Sequence, residues 1–221
     1  TVNSLRFLTK DYLIQNPWYR SYTFTLAGSA GAVPTITVET GAATDSVTIS
    51  SVLAGTNGLT KAGSGTLTLS GNNTYTGATT VSAGTLNVNG TLASTAVEIN
   101  GGTLALGADE RLLNTSAVTV NGGTLAMGTR SDTVRLVTVA GGSVTGTTGV
   151  LTATNGVAAQ SGTVSAILGG TAGLTKTTDG TVTLSGANTY TGVTTISAGT
   201  LSVGTIGNGG VAGNLGQATS N

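Results

Sequence analysis

Hydrophobic and polar residues alternate along this chain in short bursts, each opened by a glycine. Thr-Leu-Thr-Leu occupies 66–69, Thr-Leu-Asn-Val 85–88, Thr-Leu-Ala-Leu 103–106 and Thr-Leu-Ala-Met 124–127. A period of two with apolar residues on one side is the signature of a half-buried strand. Thr and Val favour extended backbone, and the flanking Gly and Asn suit turns. No 3.6-residue apolar stripe persists for ten residues, so the chain reads as all-β.

The bursts recur on a ruler. Gly-Thr-Leu or a close variant starts at Gly65, Gly84, Gly102, Gly123, Gly142, Gly162, Gly180 and Gly199, at intervals of 18 to 21 residues. A sandwich or antiparallel barrel has no need to bring the same side chain back every 20 residues. A solenoid does, because each coil lies ~4.8 Å above the last and equivalent residues stack in files. The pattern therefore predicts a parallel β-helix with about 20 residues per coil. One inward file is expected to hold Leu67, Leu86, Leu104, Leu125, Val144, Val164, Val182 and Leu201. A second, two residues on, is expected to hold Leu69, Val88, Leu106, Met127, Leu184 and Val203.

A longer repeat overlies the ruler. Residues 58–88 and 173–203 are identical at 23 of 31 positions, 115 residues apart. Their shared pattern is GLTK…GTxTLSG…NTYTG…TT…SAGTL. It resembles the autotransporter-associated β-strand repeat, also called the passenger-associated transport repeat. The opening Val2–Phe7 and the closing Gly213–Gln217 are similar to segments that flank such cassettes. The resemblance implies a secreted or surface-exposed bacterial protein with a right-handed parallel β-helix. Members of that family serve as stalks, adhesins and occasional enzyme scaffolds, so an activity is not implied. No membrane-anchoring barrel accompanies the cassettes, and no basic leader opens the chain. The sequence thus reads either as a fragment, a mature piece if the protein is secreted, or as a protein exported another way.

Composition narrows the chemistry. His and Cys are absent, which removes imidazole acid/base catalysis, His-assisted nucleophiles, disulfides and thiolate or imidazole metal sites. Eight basic and eight acidic residues cancel, leaving no cationic surface for nucleic acid. No apolar run is long enough to insert in a membrane. Phosphate-loop and calcium-nonapeptide patterns are missing, so no metal and no cofactor is expected.

Three features remain as candidates. Aligning 100–107 with 121–128 sets Asp109 against Arg130 and Arg111 against Asp132, which predicts a salt-bridge ladder between two loops. The repeated Lys61 and Lys176 read as charges on a solvated corner, and Tyr75 and Tyr190 as ring covers on a coil rim. The third is the N-terminal segment 1–34, which holds Phe7, Tyr12, Trp18, Tyr19, Tyr22 and Phe24. Those aromatics serve either as a cap over the first coil or as a docking surface for another subunit. The β-helix proper is expected over 35–203. Residues 204–221, rich in Gly and Asn, form a tail or final coil without an evident cap.

The function that follows is a non-enzymatic extracellular structural protein, a stiff surface rod, sheath or head-to-tail self-associating fibre. The alternative is an adhesin that binds surface glycans or another cell through loops on one face. A β-helix polysaccharide lyase or hydrolase ranks third, because clustered acids are scarce.

Overall fold

A computed structural model describes residues 4–8, 12–14, 23–28, 32–39 and 45–218. The described chain is all-β and contains no helix. It opens with β1 (Ser4–Phe7), β2 (Tyr12–Ile14) and β3 (Thr23–Thr25), followed by β4 (Thr35–Val38), β5 (Ser46–Ile49) and β6 (Val52–Ala54). The first cassette contributes β7 (Leu59–Ala62), β8 (Thr66–Leu69), β9 (Thr79–Val81) and β10 (Thr85–Val88). Next come β11 (Ala96–Ile99), β12 (Thr103–Leu106), β13 (Ala117–Val120), β14 (Thr124–Gly128) and β15 (Asp132–Val134). They lead into β16 (Leu136–Gly146), β17 (Val150–Ala153), β18 (Val157–Val164) and β19 (Ile167–Gly169). The second cassette supplies β20 (Leu174–Lys176), β21 (Thr181–Leu184), β22 (Thr194–Ile196) and β23 (Thr200–Val203).

Every pairing between these strands is parallel, and partners lie roughly one coil apart in sequence. One stack, ten strands deep, runs β1, β4, β7, β9, β11, β13, β16, β18, β20, β22. A second, equally deep, runs β2, β5, β8, β10, β12, β14, β16, β18, β21, β23. The long strands β16 and β18 turn a corner and serve both stacks. A third face is intermittent: β3 pairs with β6, and β15 with β17 and then β19. This is the β-solenoid that the 20-residue ruler predicts.

The inward file of the second stack is apolar over its first seven strands from β5. Val47, Leu67, Leu86, Leu104, Leu125, Val144 and Val164 stack in register, all buried. The expected file then fails at one step. Val164 pairs with Leu184, and Val182 lies over Gly162. The irregularity lies in β18, whose pairing with β16 shifts register after Ala159 and whose Gly162 has a positive φ of 116°. The lysine turn is not the source, since Lys61 and Leu67 have the same six-residue spacing as Lys176 and Val182 and Leu67 stays in register with Val47 and Leu86.

The segment that precedes residue 35 enters the solenoid as strands. Ser4–Phe7 pairs residue for residue with Thr35–Val38, Tyr12–Ile14 with Val47–Ile49 and Thr23–Thr25 with Val52–Ala54. Phe7 and Phe24 are half-buried against the core. Trp18, Tyr19 and Tyr22 lie outside the described residues, as does the side chain of Tyr12.

Candidate functional site

The two cassette lysines are inside. Lys61 and Lys176 are both 0% exposed, which overturns the solvated-corner expectation. Alternation explains the position. Leu59 faces the core, so Lys61, two residues on, must face it too. Lys61 takes its turn in an inward file between Ile36 and Val81, and Lys176 stands between Ala159 and Ile196.

A buried ammonium needs acceptors. Lys61 Nζ donates to the carbonyls of Ala62 (2.9 Å), Gly63 (2.8 Å) and Ala83 (3.1 Å). Lys176 Nζ donates to the carbonyl and hydroxyl of Thr178 and to Ala198 O (3.2 Å). Each lysine therefore fills the widened turn that follows it and ties that turn to the next coil. Gly84 and Gly199 leave room for it: both have positive φ, 64° and 70°, and a Cβ there would lie 2.8 and 2.5 Å from the Nζ. Burial lowers the Lys61 pKa to about 8, against the raising effect of Glu39.

The tyrosines are likewise interior rather than on a rim. Tyr75 and Tyr190 are buried, and their hydroxyls bond Thr79 Oγ1 and Thr194 Oγ1, each at 2.7 Å. Thr79 continues the chain to Ser94 Oγ at 2.5 Å. Burial raises the Tyr75 pKa to about 12, with the two hydroxyl contacts pulling the other way, and raises Tyr190 for the same first reason. No face of either ring is available to stack on a sugar.

A third inward polar position was not anticipated from sequence. Asn73 Oδ1 accepts the N–H of Leu53 (3.0 Å), and Asn188 Oδ1 accepts that of Leu168 (2.8 Å), each 20 residues upstream. Asp132 repeats the geometry between the cassettes, its Oδ2 accepting from Leu112 N (3.1 Å) and Arg111 N (2.8 Å). The asparagines also donate: Asn73 Nδ2 to Gly71 O and Thr91 O, Asn188 Nδ2 to Asn214 O. A carboxylate has no such donor, and Asp132 Oδ1 is buried without a partner. Its pKa is pushed up to about 6, chiefly by burial and further by Glu110, against the amides that bond it.

The loops bearing Asp109, Arg111, Arg130 and Asp132 do lie on neighbouring coils, but the salt-bridge ladder is replaced by bonds to backbone. Asp109 Oδ1 accepts from Ser131 N at 3.0 Å, and Arg111 donates to Asp109 O and Asn89 O. Among the described residues the charged contact is Arg6–Glu39 at 3.7 Å, both exposed. The physical reason is that backbone amides at the loop corners need acceptors more than two solvated charges need each other. No group of three acids able to hold a metal occurs among the described residues.

Outside, the second stack carries a file of hydroxyls: Ser46, Thr66, Thr85, Thr103, Thr124, Ser143, Thr163, Thr183 and Ser202. Nothing charged interrupts it. At the C-terminal end, Asn214 accepts from Gly204 N and Thr205 N, and Gln217 N donates to Tyr190 O, so residues 213–218 cover the corner above the second cassette.

A solenoid with a duplicated interior of lysine, asparagine and tyrosine defines a class of repeat protein. The family model described as passenger-associated-transport-repeat matches residues 59–88 and 174–203. The chain thus carries two copies of the passenger-associated transport repeat. It is 37% identical over 212 residues, 94% of its length, to a protein of Brucella suis biovar 1 (strain 1330) named adhesin BmaC autotransporter. The chain spans 5% of that relative's length. No solved structure matches the chain significantly.

Proposed function

We propose that the chain is a non-enzymatic section of an extracellular bacterial rod of the adhesin type, projecting from the cell surface. The observation that supports it most is the unbroken register from β1 to β22: nine steps of ~4.8 Å give an axis of ~43 Å, stiffened along its whole length by backbone bonds. The inward polar groups serve that frame and offer nothing to a substrate.

Contact with glycan is the adhesive reading, and two observations favour it. The relative is named an adhesin. The uncharged hydroxyl file suits a neutral polyhydroxyl partner better than a charged one. Small-angle scattering of the purified chain tests the rod, and retention of chain-coated beads on glycan-coated and cell-coated surfaces tests adhesion. A compact particle, or cleavage of polysaccharide by the chain, would overturn the proposal.

A further inference from the structure

Charge is scarce on the outside of this rod, and its cations gather at one corner. Among the described residues the cations that are not buried are Arg6, Arg111, Arg130 and Arg135, since Lys61 and Lys176 lie inside. Arg6 faces Glu39. The other three stand midway along the rod, on two adjoining coils with a bonded coil on either side. Arg130 and Arg135 flank β15, and Arg111, from the coil before, donates its backbone N–H to Asp132 at the start of that strand.

The acids of this corner are taken up within the fold, and the guanidiniums largely are not. Asp109 Oδ1 accepts from Ser131 N, and Glu110 Oε1 accepts from the Thr133 hydroxyl at 3.0 Å. Arg111 uses Nε and one terminal nitrogen on the carbonyls of Asp109 and Asn89, while Arg135 uses its Nε on Thr115 O at 3.3 Å. Among the described residues the Arg130 guanidinium has neither a hydrogen bond nor an ion pair. The coil above passes Arg130 at Gly149, where a Cβ would meet the Arg130 carbonyl at 1.9 Å, so that place carries no side chain. Three planar sets of donors suited to carboxylates thus stand at one exposed corner.

We propose that this corner binds an acidic polysaccharide whose carboxylates are separated by neutral sugars. Arg130 and Arg135 are five residues apart, a reach of up to ~17 Å, too wide for one small anion and suited to acids spaced along a polymer. Asp109 and Glu110, beside the arginines, oppose a densely charged chain such as a nucleic acid or an acidic peptide. The strands β12 and β14 that lead into the corner present Thr103 and Thr124 outward, hydroxyls for the neutral rings. The proposal rests on the adhesive reading and adds to it the charge of the ligand and the place that holds it.

Retention of the 221-residue chain on immobilised hyaluronan, in which glucuronate alternates with a neutral sugar, tests it against dextran and poly-glutamate. Hyaluronan should bind at least tenfold more tightly than either, and its binding should fall as salt is raised. Arg130→Gln combined with Arg135→Gln should weaken that binding at least tenfold, with circular dichroism unchanged. If the pair perturbs the fold, Arg130→Gln alone takes its place, with a loss of at least threefold. Equal binding to dextran overturns the proposal, as does tighter binding to poly-glutamate or undiminished binding by the double variant. Retention on cell-coated surfaces that the double variant shares in full, without binding to hyaluronan, overturns this site and leaves adhesion standing. A chain retained on no surface overturns both.

Discussion

The Lys61 ammonium reaches across one coil to the carbonyl of Ala83, 22 residues later, and Lys176 makes the same reach to Ala198. In each cassette the charge sits in an apolar file and is neutralised by backbone dipoles rather than by a carboxylate. Lys61→Met keeps the stem and removes the donor, leaving the carbonyls of Ala62, Gly63 and Ala83 underbonded. The expected loss is about 2–3 kcal/mol, read by chemical denaturation. Lys61→Arg should also destabilise, because Gly84 leaves no space for a guanidinium.

Leu104→Asp places a charge in a buried file and should cost several kcal/mol. Thr103→Asp, on the outward side of the same strand, should cost under about 1 kcal/mol. Thermal melts of the two variants check the inward assignment.

Stability should have a shallow minimum near neutral pH. Asp132 has its folded pKa raised from 3.8 to about 6, so the folded state holds a proton that the unfolded state releases, and stability falls as pH rises through that window. Lys61 has its folded pKa lowered from 10.5 to about 8, so the unfolded state holds the extra proton and stability rises again above pH 8. Above pH 10, Tyr75, raised from 10.0 to about 12, reverses the trend. Denaturation midpoints measured between pH 4 and 11 should trace this course.

Asp132→Asn gives that corner the amide its counterparts Asn73 and Asn188 already have. It should stabilise the fold at pH 7, by about 1–3 kcal/mol, and flatten the fall between pH 4 and 6. Equal stability of variant and parent at pH 7 would show that the unpaired Oδ1 carries no cost.

The ruler and the inward files were legible because a stacked coil demands the same residue at the same place every 20 positions. The polar interior was legible in principle and misread. Lys61 shares the parity of Leu59, and Asp132 that of Val134, yet charge and tyrosine hydroxyls are read as surface features unless acceptors are known to wait inside. Those acceptors are backbone carbonyls and amides of another coil, which no local pattern announces. The slip at Val164 was hidden for a related reason: the spacing of Gly162 and Gly180 points to Val182, and only the irregular corner of β18 moves the partner to Leu184. The boundary near residue 35 was obscured by aromatic composition, although Leu5 and Phe7 already keep the alternation of a strand.

Because the cassette's buried amide, phenol and ammonium bond to main chain or to hydroxyls within a coil or so, no distant side chain has to be present for a cassette to fit. A block such as the 115 residues between Tyr75 and Tyr190 can be copied, dropped out or moved along the gene, and the junction meets the same generic backbone each time. Length in this architecture is then a quantity that recombination can tune in whole coils, independently of whatever the outer face has evolved to touch.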